Sequence, residues 1–331
     1  MANLRTSIAL AAYQGERFLS QQLESFVTQS RLPDELCISD DRSTDRTIEL
    51  VRAFATTAPF PVRLFVNSNG RGANANFENA VSQCAGDVIL FSDQDDVWLP
   101  AHVEALLAPM EENPAIFAVA SDSQFVDERL NLIGSTYGQS DRFPSWLRDA
   151  TMRTPRNQFE LVLRHNMHYG HGMAFRRSLL PLVIPFTETF GYDEWVLLLA
   201  AATGFITYAS EPLTLQRQHQ NQTAGSRNKD LRVWAAQSKS VSADQERVQE
   251  GKWHELLERV CEHRASLPNF TAVERALKQK YDFVVRRSQA RRRTLPIRLA
   301  LTLRELMMGR YHRFGRGFLA FARDLYGVRP Q

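Results

Sequence analysis

Three carboxylates crowd one short stretch of this chain, Phe91-Ser92-Asp93-Gln94-Asp95-Asp96-Val97-Trp98, directly after the apolar run Val88–Phe91. Like charges so close would repel at a partly buried strand end if they stayed unpaired. A hard divalent cation removes that cost, and Mg²⁺ or Mn²⁺ suits one or two carboxylates together with diphosphate oxygens. The bland alternative is a solvated acidic turn. A second acidic turn, Ser39-Asp40-Asp41-Arg42-Ser43-Thr44-Asp45, follows another apolar run. Asp41 there can accept hydrogen bonds from a nucleobase N–H or a ribose hydroxyl, whereas Asp45 reads as a helix cap. His165, His168 and His171 sit three apart, but no cysteine or carboxylate completes a tetrahedral set and no regular element gathers all three. Zinc is not expected.

These turns need a frame. Ser7–Ala12, Leu36–Ser39, Val62–Val66 and Val88–Phe91 read as buried strands. Between them, Glu16–Gln29, Asp45–Ala55 and Asn74–Cys84 carry apolar residues at helical spacing. Pro100 suits the first turn of a further helix. Alternation of this kind calls for an α/β fold, a mostly parallel sheet with helices on both faces, whose ligands bind beyond the carboxyl ends of the strands. Strands are expected at Ala115–Ala120, Gly172–Phe175, Ile206–Ala209 and Leu213–Arg217, with a helix at Glu194–Ala202. Beyond about 222 strand signals stop, and Leu256–Arg264, Ala272–Val285 and Pro296–Met308 read as helices. The expected division is therefore 1–225, carrying the chemistry, and 226–331, a basic helical extension, with Ser226–Val248 as a polar linker.

Hydrophobic residues make up 44% and charged residues 23% of the 331, ordinary globular chemistry with enough apolar material for a core. The net charge of +3 is small but uneven. Acids cluster in the first hundred residues. Arg286, Arg287, Arg291, Arg292, Arg293, Arg298, Arg304, Arg310, Arg313 and Arg316 crowd the end, interleaved with Leu, Ile, Met, Phe and Tyr. Such a tail is either a helical cap with a solvated basic face or a peripheral contact with an anionic membrane. Nucleic acid is not an expected partner, because no recognised module accompanies the arginines. The three cysteines lack metal spacing, and Cys37 and Cys84 read as inert core thiols. Met1–Ser7 lacks the build of a signal peptide and no apolar run reaches the roughly 20 residues that span a bilayer. A cytoplasmic protein, peripheral at most on the inner face of the membrane, is expected.

Three turns in order, Ala11-Ala12-Tyr13-Gln14-Gly15, Asp40-Asp41-x-Ser-Thr-Asp and Ser92-Asp-Gln-Asp-Asp-Val-Trp, resemble the family 2 inverting glycosyltransferases of GT-A fold. Asn74-Ala-Asn76-Phe77 further resembles a rhamnosyltransferase-like branch. The resemblance covers roughly residues 5–225. It implies a donor site in which Ala11 and Tyr13 lie near the base, Tyr13 stacking on it and Asp41 hydrogen-bonding it. Asn76 joins them, Asp93 contacts the ribose or sugar, and Asp95 binds the metal. Asp96 either orients a metal-bound water or caps the turn. In Gly191-Tyr192-Asp193-Glu194-Trp195 the family carries (H/E)D-x-W, whose acid is the catalytic base. Here Tyr192 replaces the usual His or Glu, and Asp193 stays in register as the base, with Glu194 the alternative, unless Asp193 merely caps the helix. Arg217-Gln218-His219 resembles the family's Arg-x-His. His219 would complete the metal shell or donate to the diphosphate, and Arg217 would neutralise leaving-group oxygens. The Tyr169–Met173 loop resembles an acceptor-side loop.

The implied reaction moves a sugar, rhamnose on the branch resemblance, from a dTDP- or UDP-sugar to a hydroxyl of a cell-surface glycan or lipid-linked saccharide. Two other classes compete. A sugar-1-phosphate nucleotidyltransferase would want a glycine-rich loop after the first strand, and Tyr13-Gln14-Gly15 is not one. A catalytically silent nucleotide-sugar binding protein is kept open by Ala11, Gln14 and Tyr192.

Overall fold

The computed structural model describes residues 3–68, 72–134, 155–164, 170–219, 243–315 and 317–325. Two compact units emerge, Met1–Pro155 with Met167–Gln222, and Arg156–Asn166 with Thr223–Gln331.

The first unit is a single twisted sheet with helices. Its strands are β1 (Thr6–Ala12), β2 (Glu35–Asp40), β3 (Val62–Val66), β4 (Val88–Asp93), β5 (Val97–Trp98), β6 (Ile116–Val126), β7 (Met173–Arg176) and β8 (Phe205–Arg217). Its helices are α1 (Leu19–Val27), α2 (Thr47–Ala55), α3 (Ala73–Ser82), α4 (His102–Glu112), α6 (Leu180–Val183) and α7 (Tyr192–Thr203), with α5 (Pro155–Arg164) belonging almost wholly to the other unit. The order is β3-β2-β1-β4-β7-β6-β8-β5. β3, β2, β1 and β4 run parallel. β7 is antiparallel to both β4 and β6, and β8 returns parallel to β6. The mostly parallel sheet expected from the alternation is what forms.

Apolar runs make the central strands because both faces are covered. Ile8, Leu10, Leu36, Ile38, Val88 and Leu90 pack with Leu23 and Phe26 of α1 and Val103, Leu106 and Leu107 of α4 in one core. The two-residue period of a strand sends Ile89 and Phe91 to the opposite face, where Phe91 meets the rings of Phe77 and Phe175 at 5.2 and 5.0 Å. That period places Asp93 on the Phe91 face at the strand's end.

Some elements differ from expectation. The runs Ile206–Ala209 and Leu213–Arg217 are one strand, β8, with a register irregularity opposite Pro212. Proline donates no ladder bond, so a strand absorbs it at a bulge. α1 starts at Leu19, not near Glu16. The preceding N–H groups are taken by Ser43 Oγ, Thr47 Oγ1 and Asp45 Oδ2, which bond Gln14, Gly15 and Glu16 at 2.9, 2.8 and 3.0 Å.

The second unit contains α8 (Ala243–Glu262), α9 (Phe270–Arg291), α10 (Leu295–Met307), α11 (Arg310–Phe314) and α12 (Phe318–Asp324), together with α5. Helix already begins at Ala243 inside the stretch expected as a linker, and 226–242 lie outside the described residues. Among the described residues no helix is long and apolar enough to cross a membrane.

The arginine-rich tail is partly internal rather than a uniformly solvated basic face. Asp324, wholly buried, accepts from Arg287 Nε at 2.5 Å, from Arg291 Nε at 2.8 Å and from the Tyr311 hydroxyl at 2.5 Å. The two guanidiniums hold its carboxyl below the usual range despite burial, which acts the other way. Arg313 bonds Glu160 of α5 at 2.8 Å, and Lys280 donates to the carbonyls of Leu163 and Phe314. Removing one partner of a buried charge cluster strands the others, at about 3–5 kcal/mol. Asp324→Ala is therefore expected to lower the unfolding free energy of the full chain by that amount, read from the denaturant midpoint. An unchanged midpoint would contradict the network's role.

Candidate active site

β1, β2 and β4 are parallel, so their carboxyl ends open on one side of the sheet. Ala12 lies level with Asp40, and Ala11 level with Asp93. At that edge Asp40 is wholly buried and turns inward, accepting the Ser43 N–H at 2.8 Å. The backbone then passes through Arg42 at φ 64°, in the left-handed region. Asp41 stays half-exposed, its backbone N–H on the Ala12 carbonyl at 2.9 Å and its Oδ2 on the Gly72 N–H at 2.8 Å. Asp45 is a turn-former: it accepts the N–H groups of Glu16 and Thr47.

Tyr13 is 56% exposed, an aromatic ring presented to solvent at the end of β1. Its backbone is gripped on both sides by the Gln94 amide, whose Oε1 accepts the Tyr13 N–H and whose Nε2 donates to the Tyr13 carbonyl, both at 2.8 Å. Gln94 thus ties the first turn to the acidic turn. Gly15 makes room for it, since a Cβ there would lie 2.3 Å from Gln94 Oε1. Asn76 is 3% exposed and spends its amide on the Ala12 carbonyl at 2.9 Å. It braces the strand end from beneath.

The acidic turn is shared out by direction. Asp96 points inward, 1% exposed, accepting the Arg217 N–H at 3.0 Å. Burial, then the charges of Asp95 and Asp93, push its carboxyl well above the ordinary range. It caps the turn. Asp95 faces His219, with Oδ2 2.8 Å from Nε2. β5 explains this meeting. Its two residues pair with β8, Val97 opposite Leu215, and fold the acidic turn back over the strand that ends at Arg217.

Arg217 differs from expectation. It is wholly buried, and its guanidinium donates to the Asp95 carbonyl at 2.8 Å, the Glu128 carbonyl at 2.5 Å and Gln21 Oε1 at 2.7 Å, stacked 4.5 Å over Phe18. A side chain so employed shapes the turn rather than facing a leaving group.

Asp93 meets the beginning of α7. Tyr192 donates its hydroxyl to Asp93 Oδ1 at 3.0 Å, and its ring stacks on Phe77 at 3.8 Å and stands edge-on to Phe91 at 4.9 Å. Burial chiefly, then the charge of Asp95 and further that of Asp193, push the Asp93 carboxyl up to about 7, while the Tyr192 hydrogen bond acts the other way. Gly170 lies directly against the Tyr192 hydroxyl, where a Cβ would approach to 2.0 Å. Asp193 is 8% exposed, its Oδ2 accepting the Gly170 N–H at 3.0 Å and its Oδ1 the Glu194 N–H at 2.8 Å. In the first turn of α7, the helix dipole favours its negative charge. Trp195, wholly buried, fixes that helix end through Nε1 on the Val183 carbonyl at 2.8 Å. Asn74 completes the fastening by accepting the Tyr192 N–H and donating to the carbonyls of Thr187 and Phe190.

Tyr13, Asp41, Asp93, Asp95, His219 and Asp193 thus gather around the strand ends, whereas Asn76 and Arg217 brace them from inside. The sequence reading assigned no role to Gln94 or Asn74, placed Gly170 only within the acceptor-side loop, and took Tyr192 only as a departure. His165, His168 and the side chain of His171 lie outside the described residues, as does Tyr169.

Among the described residues no three His, Cys, Asp or Glu side chains converge to hold a metal ion. The donor set nonetheless fits a hard cation completed by phosphate oxygens. Neighbouring ligand atoms around a cation with bonds of about 2.1 Å stand about 3 Å apart, and Asp95 Oδ2 and His219 Nε2 are 2.8 Å apart. Beside them, burial and then the charge of Asp95 push the Asp93 carboxyl up.

The family model for glycosyl transferase family 2 matches residues 7–182, from the second residue of β1 to beyond the end of β7. The chain belongs to that family. Curated relatives match it over part of their length. The putative glycosyltransferase EpsE of Bacillus subtilis is 28% identical over 124 residues, 38% of this chain and 45% of that protein. The dTDP-rhamnosyl transferase RfbG of Shigella flexneri is 36% identical over 94 residues, 27% of this chain and 32% of that one. The chain spans about half the length of the curated relatives it matches. The crystal structure of S. aureus TarS 1–349 in complex with UDP superposes with a TM-score of 0.53 at 16% identity, covering 97% of this chain and 89% of that one. The shared fold is GT-A, with a helical C-terminal region.

The raised Asp93 carboxyl has a consequence for the metal-free protein. A carboxyl whose folded value lies above its unfolded one binds more protons when folded, so stability falls as pH rises between the two, here from about 4 to about 7. In the presence of a chelator, wild type is expected to lose about 2 kcal/mol relative to Asp93→Asn between pH 5 and pH 8. Thermal melts at the two pH values check this, and parallel pH slopes for both proteins would contradict it.

Proposed function

We propose that this chain is an inverting, metal-dependent glycosyltransferase that takes a sugar from a nucleotide diphosphate and places it on a hydroxyl acceptor. The observation that supports it most is the join between the two halves of the site. The acidic turn and Asp193 meet across Tyr192 and Gly170, so a donor-side carboxylate and a candidate base share one edge of the sheet.

In this reading the exposed Tyr13 ring stacks on the base and Asp41 accepts its hydrogen bonds. Asp95 and His219 would hold Mg²⁺ or Mn²⁺, which when bound neutralises charge on the diphosphate oxygens. Asp193 accepts the proton of the acceptor hydroxyl while that oxygen bonds to the anomeric carbon. The bond from that carbon to the diphosphate oxygen breaks on the opposite side, so the configuration inverts. The backbone N–H groups of Gly170 and Glu194 keep Asp193 oriented. A carboxylate there also stabilises positive charge that develops on the sugar. Aiming a held base at a proton within hydrogen-bond reach is worth about 10²–10⁴ in rate.

Similarity to the dTDP-rhamnosyl transferase RfbG supports a dTDP-rhamnose donor, and the UDP in TarS supports a uridine one. A lipid-linked or cell-surface glycan is the acceptor class proposed.

Calorimetry of the full chain with Mn²⁺ against UDP, dTDP and GDP tests the donor site. One nucleotide is expected to bind in a metal-dependent manner, and Asp95→Ala is expected to weaken it at least about tenfold while leaving the melting temperature within a few degrees. A folded protein that binds none of the three would refute the assignment.

A further inference from the structure

Helix α10 presents apolar side chains where a soluble helix presents polar ones. Leu295, Ile297, Leu299, Leu301, Leu303 and Met307 are exposed at 59, 50, 40, 37, 39 and 81%, and beside them Phe318 of α12 reaches 66%. At 100° per residue, Leu295, Leu299, Leu303 and Met307 form one stripe, with Leu301 and Ile297 continuing round the helix. Only the face carrying Thr302 and Glu305, 1 and 6% exposed, is buried. A helix apolar on nearly every side is made for an apolar surround. Its 13 residues, about 20 Å long, are too short to span a bilayer.

Charge indicates what supplies that surround. Between 292 and 325 the acidic residues are Glu305 and Asp324, both buried and both bonded to arginines. The exposed charge of the same stretch is positive, with Arg293 and Arg304 at the surface and Arg292 paired with Glu246 and Glu250. Arg304 lies in the middle of the apolar arc, opposite the buried face. A second copy docked about a two-fold axis would bring Arg304 against Arg304 with no exposed acid of this stretch between them. An anionic bilayer accepts both features. The leucines enter the acyl boundary while arginines snorkel to the phosphates.

We propose that α10, with Phe318 and Leu319 at its side, is a monolayer-docking surface for anionic phospholipid and lies in the interface plane without crossing it. The surface belongs to the helical unit alone, so the inference stands whether or not the donor reading above holds.

Flotation of the full chain with phosphatidylglycerol/phosphatidylcholine vesicles tests it, with pure phosphatidylcholine as the neutral control. The wild type is expected to float with the anionic vesicles only, less so as salt rises. Leu303→Asp/Met307→Asp changes two exposed residues and is expected to reduce partitioning at least about tenfold. Arg293→Gln/Arg304→Gln is expected to reduce it roughly 25-fold, about fivefold per arginine. Both variants should melt and bind nucleotide as wild type does. Three results would overturn the proposal: no flotation, flotation undiminished in both variants, or a dimer by light scattering that the aspartate variant dissolves while vesicles are ignored.

Discussion

Four carboxylates, Asp93, Asp95, Asp96 and Asp193, share one end of a sheet, and the surrounding structure is organised around containing their repulsion. Each is given a different partner. Asp96 is buried under the Arg217 backbone, and Asp95 is set against His219. Asp93 takes the Tyr192 hydroxyl, and Asp193 takes two N–H groups at the start of α7. What is not contained appears in Asp93, whose carboxyl is driven up to about 7 by burial and its acidic neighbours. In the proposed reading that strain is where a divalent cation and the diphosphate it accompanies would sit.

The sheet makes this arrangement through period and pairing. A single turn of the two-residue period carries Phe91 into the core and Asp93 to the rim on the same face. Phe77, Phe91 and Tyr192 then stack as one aromatic wedge that sets the distance between β4 and α7. The short strand β5 does the same for the other half of the site, since its pairing with β8 brings His219 to Asp95. Glycine is required at Gly170 for a plain steric reason: the Tyr192 hydroxyl occupies the space of a side chain.

Much of this could be read from the residues. Apolar runs followed by acidic turns gave the parallel half of the sheet and placed Asp41, Asp93 and Asp95 at its carboxyl edge. The hidden parts depend on contacts distant in sequence. Arg217 reads as a cation awaiting phosphate, yet its guanidinium is used internally, because a two-residue strand folds the acidic turn onto it. Such a strand is too short to show a period. Gln94 sits inside the most informative motif, but its grip on Tyr13 depends on the neighbouring strand end. Helix α5 packs with residues over a hundred positions later, which local spacing does not reveal. Tyr192 marks a departure from the family's usual His or Glu, and its hydroxyl on Asp93 is what that departure provides.

Asp193 is proposed to take the acceptor proton while the donor is held elsewhere. Asp193→Asn keeps size and hydrogen-bonding shape but removes the basic oxygen. With the donor nucleotide identified, its dissociation constant and single-turnover transfer can be measured side by side on this variant. Nucleotide affinity is expected to stay within about twofold of wild type while the transfer rate falls by about 10²–10⁴. Transfer at the wild-type rate would contradict the account, and so would loss of nucleotide binding in step with the rate.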